Sequence, residues 1–224
     1  MNYIGSKLSL LEFLENSINK VVDKKNCHVF CDLFAGTGIV GNYFKKKGYK
    51  IIANDIQYYS FVLNKHYIEN HKELRFLKLT KVLSELKKIK IKNRKDFVCC
   101  YLENLKGIKG FIFKNYCLGG TKNKKIQRQY FSDTNGMRCD ATRKKIEEWK
   151  KEKLINNNEY YFLLTSLIKS VDKCANTATV YGAFLKKLKK SAQKNFILQP
   201  AELTINDQEH KVYNQDINKL IKSF

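Results

Sequence analysis

Between Val29 and Asp55 the chain carries a pattern that few folds accommodate. Val29-Phe30-Cys31-Asp32-Leu33-Phe34 is a short apolar run, Gly36-Thr37-Gly38-Ile39-Val40-Gly41 is a G-x-G-x-x-G turn, and Ile39 to Lys47 has helical spacing that stops at Gly48. A second β-rich run, Lys50 to Asp55, follows at once. Strand, tight turn, helix and strand at this length form a right-handed βαβ unit, the start of a parallel sheet. Asp55 lies 19 positions beyond Gly36, matching the offset of about 20 at which an acid on the second strand meets ribose hydroxyls.

Two ligand chemistries use this layout, and both need glycines for close backbone approach, a helix N-terminus facing the ligand and a carboxylate for the ribose. A nicotinamide dinucleotide would set its pyrophosphate on the glycines, where Asp32 at the end of the first strand adds repulsive charge. S-adenosylmethionine has no phosphate there, and a carboxylate near the turn engages its cationic amino-acid end. A plain glycine turn in an ordinary α/β protein is the third reading, and the acid at the right offset favours a cofactor over it.

Elsewhere the pattern is more mixed. Ser6 to Val22 reads as a helix with Ser6 as its cap, and Tyr58 to His71 as another. From about Lys72 to Asn195 the chain turns to long Lys-rich helical patterns, broken by a glycine-bearing polar stretch from Lys106 to Asn135. Phe196-Ile197-Leu198 and Val212-Tyr213-Asn214 look like strands again. The expected organisation is an incomplete Rossmann-like α/β core over residues 1–72 plus 196–224, with a mostly helical insertion over 73–195.

The net charge is +22, from 43 Lys+Arg against 21 Asp+Glu. An excess of that size fits a polyanionic partner, although an AT-rich genome also produces lysine together with Asn, Ile, Tyr and Phe. Only Arg75, Arg94, Arg128, Arg138 and Arg143 are arginines. The seven cysteines are odd in number and include no C-x-x-C pair, as in reduced cytoplasmic proteins, and the four histidines lack zinc spacing, so no metal site is expected. No apolar run approaches the roughly 18 residues of a membrane span, and the first residues do not read as a signal peptide. A cytoplasmic location with no membrane partner is the expectation.

Within the insertion, positives are dense between Lys81 and Arg128. They suit phosphate neutralisation, or equally the solvated faces of helices in a Lys-rich chain. Gly119-Gly120-Thr121-Lys122-Asn123-Lys124-Lys125 reads as a flexible loop able to enter a groove, and Gln127, Arg128, Gln129 and Tyr130 follow it. Gln and Arg pair bidentately with adenine and guanine edges, which places target recognition here. Phe131 and Trp149 are expected in the core.

The sequence DLFAGTG followed by NDI resembles the cofactor motif of DNA methyltransferases, and more of the chain is similar to one family, the D12-type (Dam-like) adenine-specific enzymes. Asn2-Tyr3-Ile4-Gly5-Ser6-Lys7 resembles their N-terminal motif, Arg128 to Gly136 continuing to Asp140 and Arg143 their signature inside the insertion, and Asn176 to Phe184 another of their segments. The resemblance covers essentially the whole chain. It implies methyl transfer from S-adenosylmethionine to adenine in a short double-stranded DNA site within a restriction–modification system, with a cognate endonuclease as a partner. The cofactor contacts it implies are Tyr3, Lys7, Asp32, Phe34, Gly36, Gly38 and Asp55, and the DNA contacts are Lys122, Lys124, Arg128 and Tyr130.

One departure is sharp. The family's catalytic motif is an Asp or Asn followed by two prolines and an aromatic residue, and this chain has one proline, Pro200. No catalytic residue is therefore assigned. In the family's order the motif follows a segment like Val212 to Leu220, so the expectation is a chain cut before it: a truncated methyltransferase, an inactive remnant that still binds cofactor and DNA, or half of a split enzyme completed by a second chain. A nicotinamide-dependent oxidoreductase is the reading from another class.

Overall fold

A computed structural model describes residues 5–23, 25–178, 180, 183 and 185–223. The described residues divide into two compact units, one formed by residues 5–73 and 202–223, the other by 74–201.

The first unit is the α/β one. Helix α1 (Leu11–Asn19) precedes strand β1 (Val29–Asp32), helix α2 (Ile39–Lys46), strand β2 (Lys50–Asn54) and helix α3 (Tyr58–Asn64), and strand β3 (Lys211–Tyr213) completes the sheet. All pairings are parallel in the order β1-β2-β3, with Asp32 opposite Ala53 and Asn54 opposite Tyr213. This is the Rossmann-like sheet that the glycine spacing predicts. Its core is Val40, Phe44, Tyr49, Ile51, Ala53, Ile68 and Val212, with Leu11, Leu14 and Ile18 of α1 packed against it. Phe30 stacks on Phe44 with ring centroids 4.2 Å apart. Gly41 lets α2 settle onto this core, because a Cβ there would stand 2.6 Å from Ile68 Cδ1 and 3.3 Å from Ile51 Cγ2.

Two helices are shorter than their patterns predict. Ser6 does not cap α1; its Oγ accepts from the Leu8 amide at 3.4 Å, and a 3-10 turn over Leu8–Leu10 leads into the helix. After Asn64, α3 widens into a π turn over Lys65–Glu69. The buried Lys45 ammonium donates to Tyr67 O and Asn70 O, at 3.2 and 2.8 Å, and so satisfies carbonyls that the helix end leaves free.

The second unit is helical: α4 (Ile91–Glu103), α5 (Phe111–Tyr116), α6 (Leu118–Thr121), α7 (Asp133–Lys151) and α8 (Asn157–Cys174). Ser132 caps α7 by accepting from Asn135 N, and Asn156 with Glu159 forms a capping box on α8. Val98, Leu102, Ile146, Trp149, Phe162 and Leu163 are buried, with Trp149 stacked on Tyr101. Phe131 is only half-buried.

The strand expected at Phe196–Leu198 does not form. Phe196 N donates to Asn135 Oδ1 at 2.9 Å and Leu198 N to Glu103 Oε2 at 2.9 Å, so side chains on α7 and α4 take donors that a neighbouring strand would otherwise need. Residues 196–201 therefore belong to the helical unit, and the chain returns to the sheet unit at Glu202 rather than at Phe196. Among the described residues, no helix is long and apolar enough to cross a membrane.

Candidate functional site

At the carboxyl ends of the three strands the backbone is pinned by side chains. Gly36 and Gly38 both have positive φ, +53° and +75°, and Gly38 is the N-cap of α2. Gly36 N donates to Asp55 Oδ2 at 2.7 Å, while Gln57 N holds Asp55 Oδ1 at 2.8 Å. From α3, Asn64 Nδ2 donates to Gly36 O at 3.0 Å and to Ser60 O at 2.7 Å. Asn54 bridges Leu33 O and Gln215, and Asn214 Nδ2 holds Asp55 O at 2.7 Å. Crevices at strand carboxyl ends are where open α/β sheets take ligands.

The cleft so formed is about 650 Å³, and Lys7, Asp32, Phe34, Gly36 and Asp55 all line it. Burial pushes the Asp32 carboxyl up from the ordinary range, and the neighbouring Asp55 charge adds to this; the Phe34 amide and the Lys7 ammonium act in the opposite sense. Two carboxylates at one glycine turn favour a cation and hydroxyl donors and disfavour a pyrophosphate. Phe34, Ile56 and Tyr58 are exposed around this end of the sheet at 73%, 69% and 58%, offering apolar surface to a flat ring. Gly38 faces Asn64 instead of the cleft: a Cβ there would meet Asn64 Oδ1 at 2.6 Å. Tyr3 lies outside the described residues.

The predicted recognition stretch sits in the helical unit. Arg128 and Tyr130 line one cavity of about 470 Å³, with Ile126 and Asn176. Lys122 lines another of about 540 Å³. Lys124 is turned back, its Nζ donating to Lys114 O at 2.7 Å and Asn115 Oδ1 at 3.2 Å, which ties it to the end of α5. Of the stretch expected as a flexible loop, residues 119–121 are helical, and residues 122–125 lie in exposed turns and bends. Gly119 and Gly120 lie in α6, where a Cβ would meet Asp133 Oδ2 at 2.1 Å or Phe113 O at 2.0 Å; both are glycine because the packing leaves no room.

The signature from Arg128 to Arg143 largely builds this scaffold. Asp133 accepts from Gly119 N at 2.9 Å, Asn135 holds Lys194 O and Phe196 N, and Asp140 accepts from the amides of Gly110, Ile112 and Phe113 at 3.1, 2.8 and 2.8 Å. Arg143 pairs with Glu147. In the Asn176 to Phe184 segment, Asn176 is buried and bonded; Thr179, Tyr181, Gly182 and Phe184 lie outside the described residues. Asn64 and Asn214 escape sequence reasoning, their only signal being an amide side chain, while Asn54 and Asn176 stand inside the NDI and Asn176 to Phe184 segments that carry the family resemblance but have no individual role there.

Comparison with known proteins extends these observations. Residues 3–223 match the family described as D12 class N6 adenine-specific DNA methyltransferase. The chain is 48% identical over 224 residues to the type II methyltransferase M.NlaIII of Neisseria lactamica, covering all of this chain and 60% of that protein. It is 39% identical to M.FokI of Planomicrobium okeanokoites, covering 99% of this chain and 32% of that protein, and 34% identical to M.CviAII of Paramecium bursaria Chlorella virus 1, covering 98% and 60%. The chain thus spans between a third and three-fifths of the curated relatives it matches. No solved structure matches it. The family match over nearly its whole length places this chain among the D12 class N6 adenine-specific DNA methyltransferases.

Proposed function

We propose that this chain binds S-adenosylmethionine and double-stranded DNA for N6 methylation of adenine within a short site, as the modification half of a restriction–modification system. The observation that carries the reading is the pair of carboxylates at the glycine turn, Asp55 fixed against Gly36 N and Asp32 in the same cleft. Asp55 keeps lone pairs for ribose hydroxyls while holding two amides, since an ionised carboxylate accepts about four hydrogen bonds. Asp32, with Lys7 close enough to offset its charge, meets the amino-acid end of the ligand. Phe34 offers its exposed ring to the adenosine. When bound, S-adenosylmethionine supplies an electrophilic methyl group on its sulfonium.

Lys122, Arg128 and Tyr130 are the DNA contacts that this reading favours; Lys124 acts through its tie to α5. The action is assigned to the cytoplasm, where duplex DNA is accessible and the seven free thiols stay reduced. A cognate endonuclease is the natural partner of such an activity.

A second reading has its own observation. The acid-or-amide, proline, proline, aromatic run is absent from these 224 residues, which hold one proline. Here these 224 residues bind cofactor and DNA but leave the adenine amine unactivated. Incubation with S-adenosylmethionine labelled in its methyl group and adenine-containing duplexes separates the two readings, by label in adenine or by binding without transfer. Calorimetry in which NAD binds and S-adenosylmethionine does not would overturn both.

A further inference from the structure

Lysine is the default cation of this chain, so a position that keeps arginine calls for a reason. Three of the five arginines are spent internally: Arg94 donates to Arg75 O at 2.7 Å, Arg138 to Phe196 O at 3.4 Å, and Arg143 pairs with Glu147. Arg128 is different. Its side chain is exposed, its guanidinium lies over the Tyr116 ring, 5.8 Å from the centroid, and no carboxylate among the described residues pairs with it. Tyr116 is in turn braced edge-on by Tyr130, with centroids 5.9 Å apart.

The backbone beneath Arg128 is held on both sides. Arg128 N donates to Thr121 Oγ1 at 2.9 Å and Tyr130 N to Tyr116 O at 2.9 Å. Asn176 clamps the other edge, its Nδ2 donating to Gln129 O at 3.0 Å and its backbone N–H to Tyr130 O at 2.7 Å, while its Oδ1 accepts from Lys189 N at 3.0 Å. A planar guanidinium held near an aromatic ring on a fixed backbone has less ordering entropy left to lose than a free side chain. A phosphate can also take such a fork bidentately. The exposed lysines Lys122, Lys125 and Lys186 already supply point charges of the kind that phosphates take. With those charges in place, a planar fork with fixed direction is matched by the O6/N7 edge of guanine in the major groove.

We propose that Arg128 reads one guanine of the DNA site, with Tyr116 and Asn176 as positioning residues. The inference rests on the DNA-binding reading above.

The test is selection of bound duplexes from a randomised pool by the full chain, followed by affinities for every single-base-pair variant of the selected site at two salt concentrations. The wild type is expected to select a motif containing a G·C pair at which Arg128→Lys and Arg128→Ala lose discrimination by about tenfold or more while other positions keep theirs. Tyr116→Phe should retain that discrimination, and Tyr116→Leu should lose part of it. Equal weakening on all duplexes, with a salt slope lowered by about one for Arg128→Ala, would make Arg128 a phosphate contact and overturn the proposal. An unchanged motif would overturn it too. A wild-type chain that selects no motif would instead overturn the DNA reading itself, and this inference with it.

Discussion

The amide of Gly36 donates to Oδ2 of Asp55 at 2.7 Å, joining the bend after β1 to the first residue beyond β2. One carboxylate thus shapes the glycine turn and is also the acid proposed for the ribose. Asp55→Ala should lose both roles and weaken S-adenosylmethionine binding by tenfold or more, since a hydrogen bond to a charged group contributes about 1.5–3 kcal/mol. Asp55→Asn can still accept from one amide and should fall between. Calorimetric titration of the three proteins checks this; equal affinities would remove Asp55 from the cofactor site.

Asn64 and Gly38 form the second constraint on the turn. Gly38 has φ +75°, and a Cβ there would stand 2.6 Å from Asn64 Oδ1. Gly38→Ala should cost about 1–2 kcal/mol for the left-handed backbone and more for the collision. Asn64→Ala removes the donor to Gly36 O and should cost about 1–3 kcal/mol. Because the two residues meet, the double variant should be more stable than the sum of the single losses predicts. Denaturant melts give the cycle, and additivity within about 0.5 kcal/mol would show no coupling.

How legible this was from sequence follows from where each residue's partners lie. The βαβ unit could be read because its information is local: glycine spacing, a short apolar or β-rich run on each side and an acid at a fixed offset. Even the three-residue β3 was visible as an apolar, β-prone run. Phe196-Ile197-Leu198 has the same local appearance, yet its amides are taken by Asn135 and Glu103, 61 and 95 positions away. The Gly119-Gly120 pair misleads for a related reason, since paired glycines mean freedom locally but here mark contact with Asp133 and Phe113. Asn64 falls in a helix whose pattern gives no reason to single out an amide. Only the fold puts it against Gly36.

Asp140 offers a test of the scaffold beneath the recognition segment. Its buried carboxylate takes three amides at the start of α5, the helix that ends in Tyr116. Asp140→Ala leaves those donors without their acceptor and should destabilise the chain by about 3–4 kcal/mol, with Asp140→Asn milder because a neutral amide oxygen still accepts. Gly110→Ala should also destabilise, since its Cβ would lie 2.6 Å from Asp140 Cγ. Thermal unfolding followed by circular dichroism measures both, and a change below about 1 kcal/mol for Asp140→Ala would deny the carboxylate its capping role.

The sheet unit also carries buried basic groups whose titration should show in stability. Burial holds His210 down to about 4, helped by the charges of Lys45, His71 and Lys50, and holds the Lys45 ammonium down to about 7. His210 Nδ1 accepts from Ile51 N at 3.0 Å and its Nε2–H donates to Asn206 Oδ1 at 3.0 Å, so protonation at Nδ1 removes an acceptor from β2. Both groups bind protons less well folded than unfolded, which makes stability rise with pH: between about 4 and 6.5 through His210, and from about 7 towards 10 through Lys45. Asp32 and Glu159, whose carboxyls burial raises, work in the opposite direction at the acid end. Each titrating group contributes at most about 1.4 kcal/mol per pH unit. Urea midpoints of the wild type should climb from pH 5 to 8, and His210→Gln, which can keep one acceptor and one donor, should flatten the climb below pH 6.5. Identical acid limbs in the two proteins would show that His210 is not the group that titrates.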